Sequence, residues 1–167
     1  MAINKSRLKS VLIRHEGLKL KPYKDTVGKL TIGVGRNLED RGISKEEALF
    51  MLENDIKIVE EELDRTIPWW RKLDSVRQEV LVNMAFNLGV PKLLRFKKFL
   101  KALQEGNYGQ ASFEMLNSLW AKQVGRRAKE LAYAMEKGEY PFEVAEEEDK
   151  LLEYLNEIVW DEVNNGW

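Results

Sequence analysis

Two carboxylates lie nine positions apart near the start of the chain, and their spacing is the first indication of chemistry. Glu16 stands before a glycine at the predicted end of a helix, and Asp25 stands in a predicted turn before a glycine-rich strand. Two carboxyl groups that flank one bond can cleave a glycoside, because one protonates the leaving oxygen and the other assists the attacking group. The spacing favours a glycosidase site, although a surface Glu and a turn Asp produce the same pattern.

The first helix is predicted to end at Glu16. Ser6 is the predicted N-cap, and Gly17 supplies a stop. Apolar residues recur at helical spacing at Leu8, Val11 and Leu12. The negative end of a helix dipole, and any burial against apolar groups, favour the protonated form of Glu16, which is the form that a general acid needs.

A segment of alternating residues follows Asp25 and predicts a half-buried strand. Its apolar positions, which should share the inner face, are Leu30, Ile32 and Val34. The other face carries Thr31, Gly33 and Gly35, whose small side chains leave room for a flat ligand such as a sugar ring. Gly28 is predicted to close the turn after Asp25. An ordinary hairpin fits this pattern equally well.

This stretch resembles the active-site segment of the T-even-type phage lysozymes, or endolysins, of glycoside hydrolase family 24. The matching residues, in order and spacing, are Glu16-Gly17-Leu18, Tyr23-Lys24-Asp25-Thr26, Gly28 and Thr31-Ile32-Gly33-Val34-Gly35. A weaker likeness continues through Asn83-Met84-Ala85-Phe86-Asn87-Leu88-Gly89, Trp120 and Arg126-Arg127-Ala128. The resemblance covers about residues 3–141 and leaves the C-terminal tail uncovered.

The resemblance implies roles for particular residues. Glu16 is implied as the general acid, Asp25 as the carboxylate that places and activates water, and Thr31 as a hydroxyl that holds this water. The implied substrate-binding residues are Phe86, Gly35, Arg36 and Arg127, with Arg127 close enough to Glu16 to pair with it. Such a pair would favour the ionised form of Glu16, against the effect of the helix end, and the sequence leaves both outcomes open. The chain departs from the family pattern at Arg36, where His is usual, at Glu114 in place of Asn, and at Glu130 in place of Arg.

The expected fold class is α+β, predominantly helical, with a lysozyme-like two-lobed arrangement. The small hairpin lobe is expected at about residues 17–62, and the helical lobe at about 1–16 and 63–142. Ser44 and Glu47 form a predicted capping box for a helix that ends before Pro68, which the resemblance implies is the interlobe helix. A helix packed in the core of a single compact domain fits the periodicity equally well. Further helices are predicted up to Gly89, from Pro91 to near Gly106, around 110–116 and over 126–137 before Gly138.

Charge separates the tail from the rest of the chain. Residues 1–142 carry a net charge of +7, whereas residues 143–167 carry −8. A basic body suits a polyanionic partner such as the bacterial cell wall, and no recognised nucleic-acid motif accompanies the charge. The tail is predicted to form an acidic amphipathic helix with an apolar stripe and with Asn164-Asn165-Gly166 as terminator. The stripe should pack on the body, on a second copy or on another protein through residues 146–167.

Composition excludes several kinds of site. The chain has no cysteine and one histidine, His15, so disulfides, thiol chemistry and a zinc centre are not expected. We expect no metal, no cofactor and no nucleic acid as partner. No signal peptide or membrane span is recognised, so we expect the protein to be made in the host cytoplasm. We also expect it to be a monomer. It would reach the wall after another factor, such as a holin, opens the membrane.

These observations together predict an endolysin-type muramidase. It would hydrolyse the β-1,4 bond between N-acetylmuramic acid and N-acetylglucosamine in peptidoglycan with inversion of configuration, as the resemblance implies. Two alternatives stay open at this point. One is a lytic transglycosylase, which needs an acid but no activated water, and the other is an inactive peptidoglycan-binding or scaffold protein on a lysozyme fold.

Overall fold

The computed structural model describes residues 2–164, with side chains described up to residue 159. Helices predominate and one small antiparallel sheet is present, so the predicted α+β class is confirmed. Internal contacts divide the chain into two compact units, Met1–Phe50 and Met51–Trp167, called here the amino-terminal and carboxy-terminal units. This boundary differs from that of the expected lobes, and the assignment of those lobes stays a prediction.

The amino-terminal unit contains one helix and a three-stranded sheet. Its elements are α1 (Lys5–Glu16), β1 (Lys19–Lys24), β2 (Leu30–Gly33) and β3 (Arg36–Asn37), with β2 at the centre. Asn4 caps α1, because its Oδ1 accepts a hydrogen bond from the Arg7 amide at 3.0 Å; the predicted cap at Ser6 was wrong. The predicted stop is confirmed: the Gly17 amide donates to the Ile13 carbonyl and Gly17 has a φ of 79°.

The predicted inner face of β2 was wrong. Thr31 is the buried residue, at 3% exposure, whereas Leu30 and Val34 are exposed. Thr31 pairs with Tyr23 of β1 and with Asn37 of β3. The strand ends at Gly33, whose φ of 71° interrupts the alternation on which the prediction depended.

The capping box at the start of α2 (Lys45–Thr66) is confirmed. The Glu47 amide donates to Ser44 Oγ at 3.1 Å, and the Ser44 amide donates to Glu47 Oε1 at 2.9 Å. The helix ends before Pro68, as predicted, and a short 3-10 turn follows at Trp70–Lys72. The remaining helices are α3 (Ser75–Leu88), α4 (Val90–Leu93), α5 (Lys97–Gln104), α6 (Tyr108–Leu116), α7 (Leu119–Val124), α8 (Arg126–Lys137) and α9 (Glu148–Asn164).

One predicted helix is two. The segment from Pro91 to Gly106 is interrupted between α4 and α5, where Phe96 leaves the helical conformation with φ −79° and ψ 62°. Its ring packs edge-on against Phe99 and Trp120, each at a centroid distance of 6.4 Å. These aromatic contacts stabilise the break.

The hydrophobic core lies in the carboxy-terminal unit. The largest fully buried side chains include Trp70, Phe99, Leu81, Met84 and Met135. None of the helices in the described part of the chain is long and apolar enough to cross a membrane.

The acidic tail forms a helix, α9, that begins at Glu148, five residues later than predicted. None of its described side chains is buried, and Leu152, Tyr154 and Ile158 are exposed. The predicted terminators Asn165 and Gly166, and the side chains of the predicted helix from residue 160 onwards, lie outside what the structure describes.

Candidate active site

Asp25 is held by the turn that it begins. Its amide donates to the Lys29 carbonyl at 2.9 Å, and its carbonyl accepts from the Gly28 amide at 3.0 Å. Its carboxylate Oδ1 accepts from the amides of Val27 and Lys29, at 3.0 and 2.8 Å. Gly28 closes the turn with a φ of 85°, as predicted. Four hydrogen bonds therefore orient Asp25, and no protein donor contacts its Oδ2 among the described residues.

Thr31 is anchored on the same residue as Asp25. Its hydroxyl donates to the Lys29 carbonyl at 2.9 Å, and this carbonyl also accepts from the Asp25 amide. A hydroxyl that donates in this way keeps its oxygen lone pairs as acceptors. The Lys29 backbone thus joins the two residues. Sequence reasoning missed Lys29, because a backbone contact leaves no signal in the type of the side chain.

Glu16, the last residue of α1, is exposed and lies against the backbone of Gly35. A Cβ placed on Gly35 would lie 2.8 Å from Glu16 Oε2. The end of α1 and the connection between β2 and β3 therefore meet at this carboxyl group. In the described residues Glu16 makes no hydrogen bond or ion pair with a side chain, so its carboxyl group remains available to a ligand.

The Arg36 side chain forms hydrogen bonds to other residues of the protein. Its Nη1 donates to Glu47 Oε1 at 2.8 Å and to the Gly42 carbonyl at 3.2 Å. The Arg36 hydrogen bond, together with the bond from the Ser44 amide, lowers the pKa of Glu47 to about 2. The bond to Glu47 in turn raises the pKa of Arg36. Sequence reasoning did not identify Glu47 as the partner of Arg36, although the capping box located it at the start of α2.

Phe86 and Arg127 line one groove of about 470 Å³ in the carboxy-terminal unit. Phe86 is 45% exposed, which leaves its ring available for an apolar contact. Arg127 is oriented by Asn83, whose Oδ1 accepts from Nε at 3.1 Å and from Nη2 at 2.7 Å. Asn83 was not identified as a site residue, although it lies three positions before Phe86 and therefore on the same side of α3. The predicted pair between Arg127 and Glu16 stays a prediction.

The same groove has a polar edge. The Tyr140 hydroxyl donates to Glu79 Oε1 at 2.8 Å, and burial raises the pKa of this tyrosine.

Two other residues that depart from the family pattern also have partners within the protein. Glu114 accepts a hydrogen bond from Gln110 Nε2, and Glu130 forms an ion pair with Arg126. No group of three His, Cys, Asp or Glu side chains suited to a metal ion occurs within residues 2–159, whose side chains the structure describes.

Comparison with known proteins finds one matching family and several similar proteins. The family described as "Phage lysozyme" matches residues 13–136. The chain is similar to "Probable T4-type lysozyme 1" of Dictyostelium discoideum, at 31% identity over 80% of this chain and 95% of that protein. It is also similar to the "SAR-endolysin" of Escherichia phage Mu, at 31% identity over 72% of this chain and 69% of that protein. The "Pre-baseplate central spike protein Gp5" of Enterobacteria phage T4 is 30% identical over 71% of this chain but only 25% of its own length.

Proposed function

The chain belongs to the phage lysozyme family and is a lysozyme-type hydrolase, and we propose that it cleaves peptidoglycan with inversion of configuration. The bond is the β-1,4 link between N-acetylmuramic acid and N-acetylglucosamine. The observation that carries this mechanism is the common anchoring of Asp25 and Thr31 on the Lys29 backbone. It leaves one carboxylate oxygen and one hydroxyl acceptor available for a single water molecule.

Glu16 is the proposed general acid. Its proton moves to the bridging oxygen as the bond from this oxygen to the anomeric carbon breaks, so the leaving sugar departs as an alcohol. The exposure of the Glu16 carboxyl group supports this role, since a bound sugar can reach it. Its contact with Gly35 restricts the directions that the acid can take.

Asp25 and Thr31 are proposed to hold the attacking water. The water donates one hydrogen to Asp25 Oδ2 and the other to Thr31 Oγ1, which points its oxygen lone pair towards the anomeric carbon. As the new bond forms, a proton passes to Asp25, and the negative carboxylate offsets charge on the oxocarbenium-like transition state. An inverting reaction requires a carboxyl separation of about 6.5–9.5 Å, which leaves room for this water.

The groove that contains Phe86 and Arg127 is proposed to bind other parts of the glycan. The exposed ring of Phe86 suits the apolar face of a sugar, and Arg127 is held ready to donate to acetyl or carboxylate oxygens. The net charge of +7 on residues 1–142 supports binding to an anionic wall.

The proposed reaction is tested by its products. We expect digestion of purified peptidoglycan to release fragments with a reducing-end muramic acid, detected by mass spectrometry. Proton NMR during the first minutes should show the α anomer, since inversion converts a β-glycoside into an α product. An anhydro-muramic product would instead indicate a lytic transglycosylase, and binding without cleavage would indicate a scaffold protein.

Three further points are proposals about the setting. The enzyme is made inside the host and reaches the wall after a holin opens the membrane, as the resemblance implies. The α9 helix is an addition to the catalytic domain and binds a protein partner, since its acidic residues disfavour binding to anionic wall polymers or lipids. Hydrolysis itself requires neither a metal nor a cofactor.

A further inference from the structure

Gly35 lies close to the carboxyl group of Glu16. A Cβ at position 35 would lie 2.8 Å from Oε2, 3.2 Å from Cδ and 3.4 Å from Cγ of Glu16. The φ of 67° at Gly35 is also a conformation that other residues rarely adopt. Only glycine fits this position without displacing the Glu16 side chain.

The segment that contains Gly35 has little rigidity of its own. Gly33 and Gly35 both have positive φ, and the residue between them, Val34, is 38% exposed. Glycine loses more conformational freedom on folding than any other residue, so such a segment needs restraint from its neighbours. The pairing of Ile32 with Arg36 between β2 and β3 supplies one restraint.

The Arg36 side chain supplies a second restraint at the other end of this segment. It binds Glu47 Oε1 at 2.8 Å and the Gly42 carbonyl at 3.2 Å. Glu47 is itself held by Ser44 at the start of α2, since its Oε1 accepts from the Ser44 amide. A continuous series of contacts therefore runs from the first turn of α2 to the residue beside Gly35. The Arg36 and Glu47 side chains are 23% and 43% exposed, so burial contributes little to this pair. Its hydrogen bond of 2.8 Å is what restrains the position of Arg36.

We infer that Arg36 and Glu47 are a positioning pair for Glu16, because they hold the strand beside Gly35 and so place Gly35 against the carboxyl group. This inference rests on the proposed function only for the identity of Glu16 as the acid. A catalytic group displaced by about 1 Å loses roughly 100-fold in rate, so a restraint outside the reacting atoms has a large effect on turnover. The role differs from the substrate contact that the resemblance implies for Arg36.

Steady-state kinetics on soluble peptidoglycan fragments separates the two roles. Arg36→Gln and Glu47→Ala should each lower kcat by about 10- to 100-fold with little change in KM, since substrate binding is intact and the acid is misplaced. Arg36→Lys should recover most of kcat, because an ammonium group can still donate to Glu47. The matched control is Arg126→Gln, which removes another arginine–glutamate pair whose arginine is 91% exposed, and it should leave both constants unchanged.

Three results would overturn the inference: a raised KM at normal kcat in Arg36→Gln, normal kcat in a folded Arg36→Gln, or no recovery in Arg36→Lys. The failure of the proposed function is distinct, because wild-type protein would then release no reducing-end muramic acid. In that event NMR of protein with 13C-labelled glutamate carboxyl groups still tests whether Arg36 and Glu47 position Glu16. The Glu16 resonance, assigned with Glu16→Gln, should move in Arg36→Gln but not in Arg126→Gln, and an unchanged resonance contradicts the inference.

Discussion

The two units of this protein are stabilised by different means. In the amino-terminal unit Thr31 is the one buried side chain among the described residues, and α1 has none. Asp25, Thr31 and Arg36 are instead held by short hydrogen bonds to backbone and to one carboxylate. The carboxy-terminal unit contains the buried apolar core, with Leu81 and Met84 fully enclosed.

This contrast has a physical consequence. Hydrogen bonds are directional and fix the orientation of a side chain, whereas apolar burial is not directional and contributes mainly to the free energy of folding. Substitutions in the amino-terminal unit should therefore change turnover more than stability. Substitutions in the core of the carboxy-terminal unit should do the reverse.

The largest effect on turnover is expected for Glu16→Gln. The amide cannot protonate the leaving oxygen, and loss of a general acid costs about 100- to 10,000-fold in rate. Because the Glu16 side chain is exposed, the melting temperature should stay close to that of the wild type. Release of reducing sugar and thermal unfolding by circular dichroism measure the two quantities. Near-normal turnover in this variant would remove the acid assignment.

The largest effect on stability is expected for Leu81→Ala. Leu81 is fully buried, so the substitution leaves a cavity that costs about 2–5 kcal/mol in the free energy of unfolding. Urea denaturation measures this loss, and kcat of the folded fraction should change little. Leu20→Ala, at an 83% exposed position of the amino-terminal unit, is the matched control and should unfold like the wild type. A large loss of kcat at full folding in Leu81→Ala would weaken the distinction between the two units.

A smaller effect is expected from pH on the amino-terminal unit. The pKa of Glu47 is lowered from 4.5 to about 2, so the ionised form stabilises the fold above about pH 4.5. This stabilisation is lost as pH falls from about 4.5 towards 2. Glu47→Gln removes the titration, so the melting temperatures of the variant and the wild type should converge in this range. A difference between them that is constant from pH 6 to pH 2 would show that the pair does not stabilise the folded state.

The smallest effect is expected from removing the tail. A chain ending at residue 145 lacks α9, none of whose described side chains is buried. Its specific activity and melting temperature should remain near those of the full chain. Loss of both would show that α9 belongs to the core of the carboxy-terminal unit.

Local signals predicted several ends of the elements correctly, although the cap of α1 and the start of α9 were placed wrongly. Gly17 and Gly138 end α1 and α8, and Ser44 with Glu47 begins α2, as predicted. Each of these features depends on residues within four positions of one another, so the sequence alone contains the relevant contacts. The Asp25 turn was predicted for the same reason.

Features that depend on distant pairing were missed. The alternating pattern placed Leu30 and Val34 on the inner face, but the buried residue is Thr31, which pairs with Tyr23 of β1 and Asn37 of β3. The break at Phe96 was also missed; there the ring contacts Trp120, which lies 24 residues away in the sequence. Periodicity within one segment contains no information about the neighbours that will cover it.

By itself the sequence determined which carboxylates and hydroxyl are available for chemistry, and which glycines permit the turns around them. Only the tertiary structure decided how these groups are oriented: Asp25 with Thr31 on the Lys29 backbone, Glu16 on Gly35, and Arg36 on Glu47. The reason is that a residue type specifies what a group can donate or accept. The group's partner is chosen by backbone atoms and side chains that folding brings within hydrogen-bonding distance.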